Sequence, residues 1–159
     1  MITKEFLRSI DLFAGIAEAD VVALAGLGRV ETFSKGQVVF REREAGDRLY
    51  VVISGVVEVS KAGAREGRPH RLALLERGEV LGEIAAFDQG PRSATAQAAV
   101  VPETRLASWD VAAFRGFLAV RPAASAAVHA ALLRKMGARL RQTSDALHVL
   151  LRALESGPA

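Results

Sequence analysis

The sequence predicts an α+β fold, mainly β: an eight-stranded barrel or jelly-roll, with short helices before it and one long helix after it. Three observations predict this. Residues 28–110 run in short, valine-rich apolar stretches broken by Gly, Asp and Ser, the rhythm of strands and turns. Both flanks return to helical spacing. From Pro122 to about Glu155 no proline intervenes and the only glycine is Gly137. At 159 residues the chain is long enough to bury a core and is expected to form a single domain over 1–159. Within it, 1–27 are N-terminal helices, 28–110 the strands and 111–155 the C-terminal helices.

In the N-terminal part, Phe6, Leu7, Ile10, Leu12 and Phe13 form an apolar cluster. Asp20 is expected to cap a second helix carrying Val21, Val22, Leu24 and Ala25, which Gly26 closes. Strands are expected near 29–33, 37–41, 48–53, 56–61, 71–75, 79–81, 93–100 and 104–109. Ser54-Gly55 reads as a hairpin turn, and residues 62–70 as a loop without packing residues. Eight strands at this spacing suit a barrel or a jelly-roll.

Asp110 is placed to cap a helix carrying Val111, Phe114, Phe117 and Leu118, which Arg121-Pro122 breaks. Pro122 then opens the long helix as its first residue, about 33 residues or roughly 50 Å of it. Its alanine-rich start (Ala123, Ala124, Ala126, Ala127, Ala130, Ala131) can lie close on the barrel. Further along, Leu133, Met136, Leu140, Thr143, Leu147, Leu150 and Leu154 alternate three and four apart, as a heptad seam does. A helix that outruns its domain needs another surface for such a stripe, and a parallel homodimer through this C-terminal helix is expected. The basic residues Arg134, Lys135, Arg139 and Arg141 read as a solvated face. Ser156-Gly157-Pro158-Ala159 reads as a frayed end.

The segment Gly82 to Ala94, with sequence GEIAAFDQGPRSA, carries the chemistry. Gly82 lets a backbone approach a ligand closely. Glu83 to Phe87 can form one helical turn whose free N–H groups face an anion. Gly90-Pro91 turns the chain back. Arg92 can fork onto phosphate oxygens, with the Ser93 hydroxyl beside it. Glu83 would be repelled by phosphate, so its natural partner is a neutral donor such as a sugar 2′-hydroxyl. A cyclic nucleotide offers both groups, one phosphodiester charge and one free 2′-hydroxyl.

This stretch resembles the phosphate-binding cassette of the cyclic nucleotide-binding domain family, which includes the catabolite activator protein and kinase regulatory subunits. The shared pattern is Gly-Glu-aliphatic-small, a variable loop, then Pro-Arg-Ser-Ala. Upstream, Phe33 to Phe40 is similar to the family's first hairpin, and Glu44 to Val59 to its glycine-punctuated central strands. The likeness runs over roughly residues 10–155. It implies an eight-stranded β-roll (the jelly-roll reading), with 82–94 as the cassette. It also implies that Glu83 holds the ribose and Arg92 the cyclic phosphate. The backbone at Ile84 and Ala85, with Ser93 and Ala94, completes the phosphate cradle, and Leu81 belongs to the same site. On the long helix, Thr143 and Ser144 would touch the purine, one from each subunit, and Arg139 could lie over its face. The ligand implied is cyclic AMP, preferred for the Thr143-Ser144 pair, or cyclic GMP, which Ser93 could serve. Binding would be signalled by movement of the C-terminal helix.

Composition narrows the alternatives. The chain is 50% hydrophobic and 25% charged with net charge +3, ordinary for a globular protein. It has no cysteine, so no disulfide, thiolate metal site or cysteine-ligated iron–sulfur cluster is available. His70, His129 and His148 lie far apart with no carboxylate at ligand spacing, and no metal is expected. There is no Gly-x-Ser-x-Gly and no His-Glu-x-x-His, and the clamp offers no nucleophile, so the expectation is a binding module and not an enzyme. The start is no signal peptide, and no apolar run reaches the ~18–20 residues that span a bilayer. A cytoplasmic protein without a membrane segment is expected. After the long helix no room remains for a helix-turn-helix, so no DNA-binding domain is expected in this chain. The chain reads as a stand-alone sensor, a sensor fragment of a transcription regulator, channel or enzyme, or a structural dimer with an empty pocket.

Overall fold

A computed structural model describes residues 1–63 and 69–155. Two short helices come first, α1 (Lys4–Arg8) and α2 (Glu18–Leu27). Eight strands follow: β1 (Arg29–Ser34), β2 (Val38–Phe40), β3 (Arg48–Ser54), β4 (Val57–Lys61), β5 (His70–Leu75), β6 (Val80–Leu81), β7 (Thr95–Ala98) and β8 (Glu103–Asp110). Helix α3 (Glu83–Asp88) interrupts the strands between β6 and β7. Helices α4 (Val111–Ala119) and α5 (Pro122–Glu155) close the described chain. The strands form two antiparallel four-stranded sheets, ordered β1-β8-β3-β6 and β2-β7-β4-β5. This is the β-roll with short N-terminal helices and a long C-terminal one.

The expected strands all form, but two turns do different work. Ser54-Gly55 does not close a hairpin. β3 pairs with β8 and β6, whereas β4 pairs with β5 and β7. The turn carries the chain from one sheet to the other, and Gly55 makes the corner with φ 86° against Thr104. Ser34 to Gln37 does the same between β1 and β2, which also lie in different sheets. Residues 64–68 of the expected loop, and the expected frayed end at 156–159, lie outside the described residues.

The strand period of two sorts the core into layers. On β3, Tyr50 and Val52 point into the roll, where they meet Phe33, Val57, Val59, Leu75, Leu81, Ala94, Ala96, Ala98 and Leu106. Leu49 and Val51 point the other way, into a layer formed with Phe13, Val21, Leu24, Trp109, Phe114 and Val128. β3 is thus buried on both faces, which explains its unbroken run of apolar residues. Trp109 fixes the helical layer. Its ring is buried, it meets Phe13 edge-on at 5.8 Å, and its Nε1–H donates to Leu24 O at 2.8 Å. Burial of one large apolar side chain stabilises by about 2–3 kcal/mol.

The helix ends follow local chemistry, with one revision. Asp110 caps α4 as expected, accepting from Ala113 N at 2.9 Å. Asp20 does not cap α2. The helix starts three residues earlier, after Ala17, and runs past Gly26 to Leu27. The Asp20 carboxylate is used elsewhere, accepting from Arg121 Nε at 2.9 Å, a contact no local pattern reveals.

Helix α5 is 34 residues long. Its alanine-rich start packs on the helical layer and the segment after α1, not on the sheets. Ala124 and Val128 are buried, and Ala127 lies beside Gly15. Past Gly137 every described residue of the helix is exposed. The seam residues Leu133, Leu140, Leu147, Leu150 and Leu154 are all more than half exposed, so the stripe does not pack on its own domain. Among the described residues no helix is long and apolar enough to cross a membrane.

Candidate ligand-binding site

The cassette closes on itself through two glycines. Gly82 has φ 78°, and a Cβ there would run into the Arg92 guanidinium and come within 2.9 Å of Arg48 O. Only glycine permits that approach. Gly46, on the loop before β3, packs its Cα against Ala85, where any side chain would overlap the Ala85 methyl group. The loop around Gly46 therefore lies flat on α3 and wraps the end of the cassette. Arg92 N donates to Glu44 O at 2.8 Å, Arg43 N donates to Arg92 O at 2.9 Å, and Ala45 bridges Pro91. The chain reversal occurs at Gln89, which takes φ 60°, one residue ahead of the expected Gly90-Pro91 turn.

Arg92 is 2% exposed. Its guanidinium carbon lies 4.1 Å from the centre of the Phe40 ring, and Phe40 in turn stacks on Tyr50. Nη1 donates to Gly82 O at 3.4 Å, Nη2 stands 3.5 Å from Asp47 Oδ1, and Nε has no hydrogen-bond partner among the described residues. Burial pulls the guanidinium below its usual value, while the fields of Tyr50, Asp47, Glu44 and Glu83 oppose that pull. Asp47 is largely exposed, so water screens much of its attraction. A buried cation with long contacts and a spare donor has the chemistry to accept an anion.

Glu83, the first residue of α3, is 4% exposed. Its Oε1 makes no hydrogen bond among the described residues. Two cations of α5 face that oxygen, Lys135 Nζ at 3.5 Å and Arg139 Nη1 at 3.7 Å. The expectation that the basic cluster is only a solvated face therefore fails for Lys135 and Arg139, because the helix crosses directly over the cassette. It holds for Arg134 and Arg141 only in that both are exposed.

These groups share one cavity of about 440 Å³. Of the residues named from the sequence, Leu81, Gly82, Glu83, Ile84, Ala85, Arg92, Ser93, Ala94, Arg139 and Thr143 all line it. Ser144 does not. It is exposed on α5 and turned away by the helical pitch, which separates adjacent residues by about 100°. Thr143 Oγ1 donates to Arg139 O at 2.9 Å. Sequence reasoning missed Phe40, Val59, Lys61, Leu72 and Leu75, which supply the apolar wall and a further cation. They come from β2, β4 and β5, and only the curl of that sheet brings them to the cassette. Nothing in their local pattern marks them.

A β-roll with a cassette helix between two strands, and with a buried cation and a buried carboxylate facing one cavity, defines a class of small-molecule-binding module. The family model for the cyclic nucleotide-binding domain matches residues 30–121, and the chain belongs to that family. The "CRP-like cAMP-activated global transcriptional regulator" of Mycobacterium tuberculosis is 36% identical over 147 residues, 92% of this chain. The chain spans 62% of that regulator's length. Among solved structures, the N-terminal domain of a transcriptional regulator from Streptomyces coelicolor A3(2) is similar with TM-score 0.72 and 34% identity, over 89% of this chain and 94% of that one. A cyclic nucleotide-binding domain from Methylobacillus flagellatus is similar with TM-score 0.75 and 26% identity, over 98% of this chain and 82% of that one.

Proposed function

We propose that this chain is a non-catalytic sensor that binds a purine cyclic nucleotide, cyclic AMP in preference to cyclic GMP, and signals through α5. One observation carries the reading. Arg92 and Glu83 are both buried, both retain an unbonded polar atom, and both face the same cavity. A ligand with an anionic phosphodiester and a neutral hydroxyl on one rigid ring satisfies both at once. In that pose Gly82, Ile84, Ala85, Ser93 and Ala94 cradle the phosphate. Val59, Leu72 and Leu75 give the base an apolar wall, and Arg139 and Thr143 close over it.

The preference for adenine follows from the Thr143 hydroxyl. Its single proton is committed to Arg139 O, so it presents lone pairs to the cavity. Adenine offers an N6 amino donor there, whereas guanine offers an O6 acceptor. The matched regulator of M. tuberculosis is described as cAMP-activated, which supports the same choice. Ser144, outside this cavity, is left to reach a base only across a dimer.

Signalling rests on α5 being a wall of the pocket. A ligand that contacts the helix in only one arrangement favours that arrangement. Shifting a 1:99 population to 99:1 takes about 5.5 kcal/mol of differential affinity. The exposed leucine seam supports a parallel homodimer through α5, which would carry the change to the second protomer. The chain spans less than two thirds of the regulator it matches, which supports a sensor portion of a CRP-like regulator as the wider context. A channel or an enzyme that carries such a sensor is the alternative.

Titration calorimetry with cyclic AMP and cyclic GMP, with molar mass measured before and after, tests the reading. Heat with cyclic AMP, weaker binding of cyclic GMP and a dimer mass are expected. No heat with either nucleotide overturns it.

A further inference from the structure

Lys135 matches no part of the cassette, yet it touches the site from two sides. Its Nζ donates to Val80 O at 3.0 Å and stands 3.5 Å from Glu83 Oε1. The first contact is a hydrogen bond. The second is beyond bonding distance, so it acts through charge and leaves the oxygen free to accept. Val80 belongs to β6, three residues before Glu83. The same ammonium therefore anchors to the strand that leads into the cassette and faces the carboxylate the cassette carries. The arrangement has a reason in chemistry: an ammonium has three donors and no acceptor, so one carbonyl leaves it positive and able to hold a carboxylate nearby.

Arg139, one turn further along the same face of α5, stands 3.7 Å from the same oxygen. Its side chain is 46% exposed, against 37% for Lys135, and among the described residues no strand carbonyl holds Arg139. Lys135 lines a neighbouring cavity of about 470 Å³, where Asp11, Glu79 and Arg134 are the other charged groups, and Val80, whose carbonyl it holds, lines both that cavity and the one at the cassette. The better-anchored of the two cations is thus Lys135.

We infer that Lys135 is a positioning residue for the sugar: it holds the Glu83 carboxylate aimed into the cavity with an unspent acceptor, and so sets the preference for a ligand that carries a 2′-hydroxyl. This rests on the proposed cyclic-nucleotide reading. It adds a residue on the long helix to sugar recognition, so that the group reading the ribose is coupled to the element that moves.

The test compares cyclic AMP with 2′-deoxy cyclic AMP by titration calorimetry, on the wild-type chain and on Lys135→Met, which keeps the aliphatic stem and removes the charge. The wild type is expected to prefer the ribose form. In Lys135→Met, cyclic AMP binding should weaken about tenfold while the 2′-deoxy form changes by less than about twofold, in line with one charge-assisted hydrogen bond. Lys135→Arg should keep the preference. Equal weakening of both ligands would mean that Lys135 only docks the helix, and would overturn the inference. So would an undiminished preference in Lys135→Met, or loss of the preference in Lys135→Arg. Should Lys135→Met not fold, Lys135→Gln gives the same readout. If the wild type takes up neither ligand, the cyclic-nucleotide reading fails and this inference with it. If the wild type discriminates and Lys135→Met discriminates equally, this inference alone fails.

Discussion

The guanidinium carbon of Arg92 lies 4.1 Å from the centre of the Phe40 ring, and that stack holds a 2%-exposed cation in place before any anion arrives. The ring face attracts the charge without consuming an N–H donor. Among the described residues Arg92 Nε has no hydrogen-bond partner, so a donor is left over for the ligand proposed above. Preorganisation of this kind lowers the cost of ordering the site on binding.

Arg92→Ala should weaken cyclic AMP binding by roughly 2–5 kcal/mol, because a buried phosphate would lose its charged partner. That is on the order of thirty- to several-thousand-fold in Kd. Calorimetry reads it directly. Unchanged affinity would remove Arg92 from the site.

Glu83→Gln should cost less, about 1–2 kcal/mol with cyclic AMP, since an amide oxygen still accepts but the charge is gone. The same substitution should barely alter binding of the 2′-deoxy form. A comparable loss with both ligands would show that Glu83 acts on the fold and not on the sugar.

Gly46→Ala tests the close packing behind the cassette. The added methyl would overlap that of Ala85, and the loop that carries Gly46 is tied to Arg92 by backbone hydrogen bonds at Arg43 and Glu44. A loss of roughly 1–3 kcal/mol of stability is expected, as for other overpacked sites. A thermal melt should show a lowered Tm together with weaker nucleotide binding. An unaltered Tm would mean that the 43–47 loop is not pressed against α3.

Leu147→Glu should leave the fold intact, because Leu147 is 55% exposed and touches no core. Light scattering is expected to show a dimer for the wild type and a monomer for the variant, since a charge in a heptad seam meets its own copy. A wild-type monomer at micromolar concentration would overturn the seam.

The order and spacing of the strands were legible because they rest on local chemistry. The valine-rich run at 48–54 and the Asp110 cap can be read without knowing what packs beside them. The cassette was legible for a related reason. Gly82, Glu83, Arg92 and Ser93 sit within a dozen residues, so the backbone of one short helix and one turn suffices to bring them together. Strand partnership was not legible. Ser54-Gly55 has the composition of a hairpin turn, but β3 finds β8 from some fifty residues away, and the turn becomes a corner between sheets. Asp20 likewise has the composition of a cap and spends its carboxylate on Arg121, 101 residues on.

By itself the sequence determined which segments are strands and helices, and it placed Gly82, Glu83, Arg92 and Ser93 within one short segment, because periodicity, glycine placement and short-range spacing act within a few residues. Only the tertiary structure decided that Phe40 underlies Arg92, that Lys135 and Arg139 face Glu83 while Ser144 turns away, and that the seam of α5 is left uncovered. Those outcomes depend on how two sheets curl and where a 34-residue helix leaves the body. Contacts between residues fifty or more apart are set by the packing of the whole chain, and no local pattern encodes them.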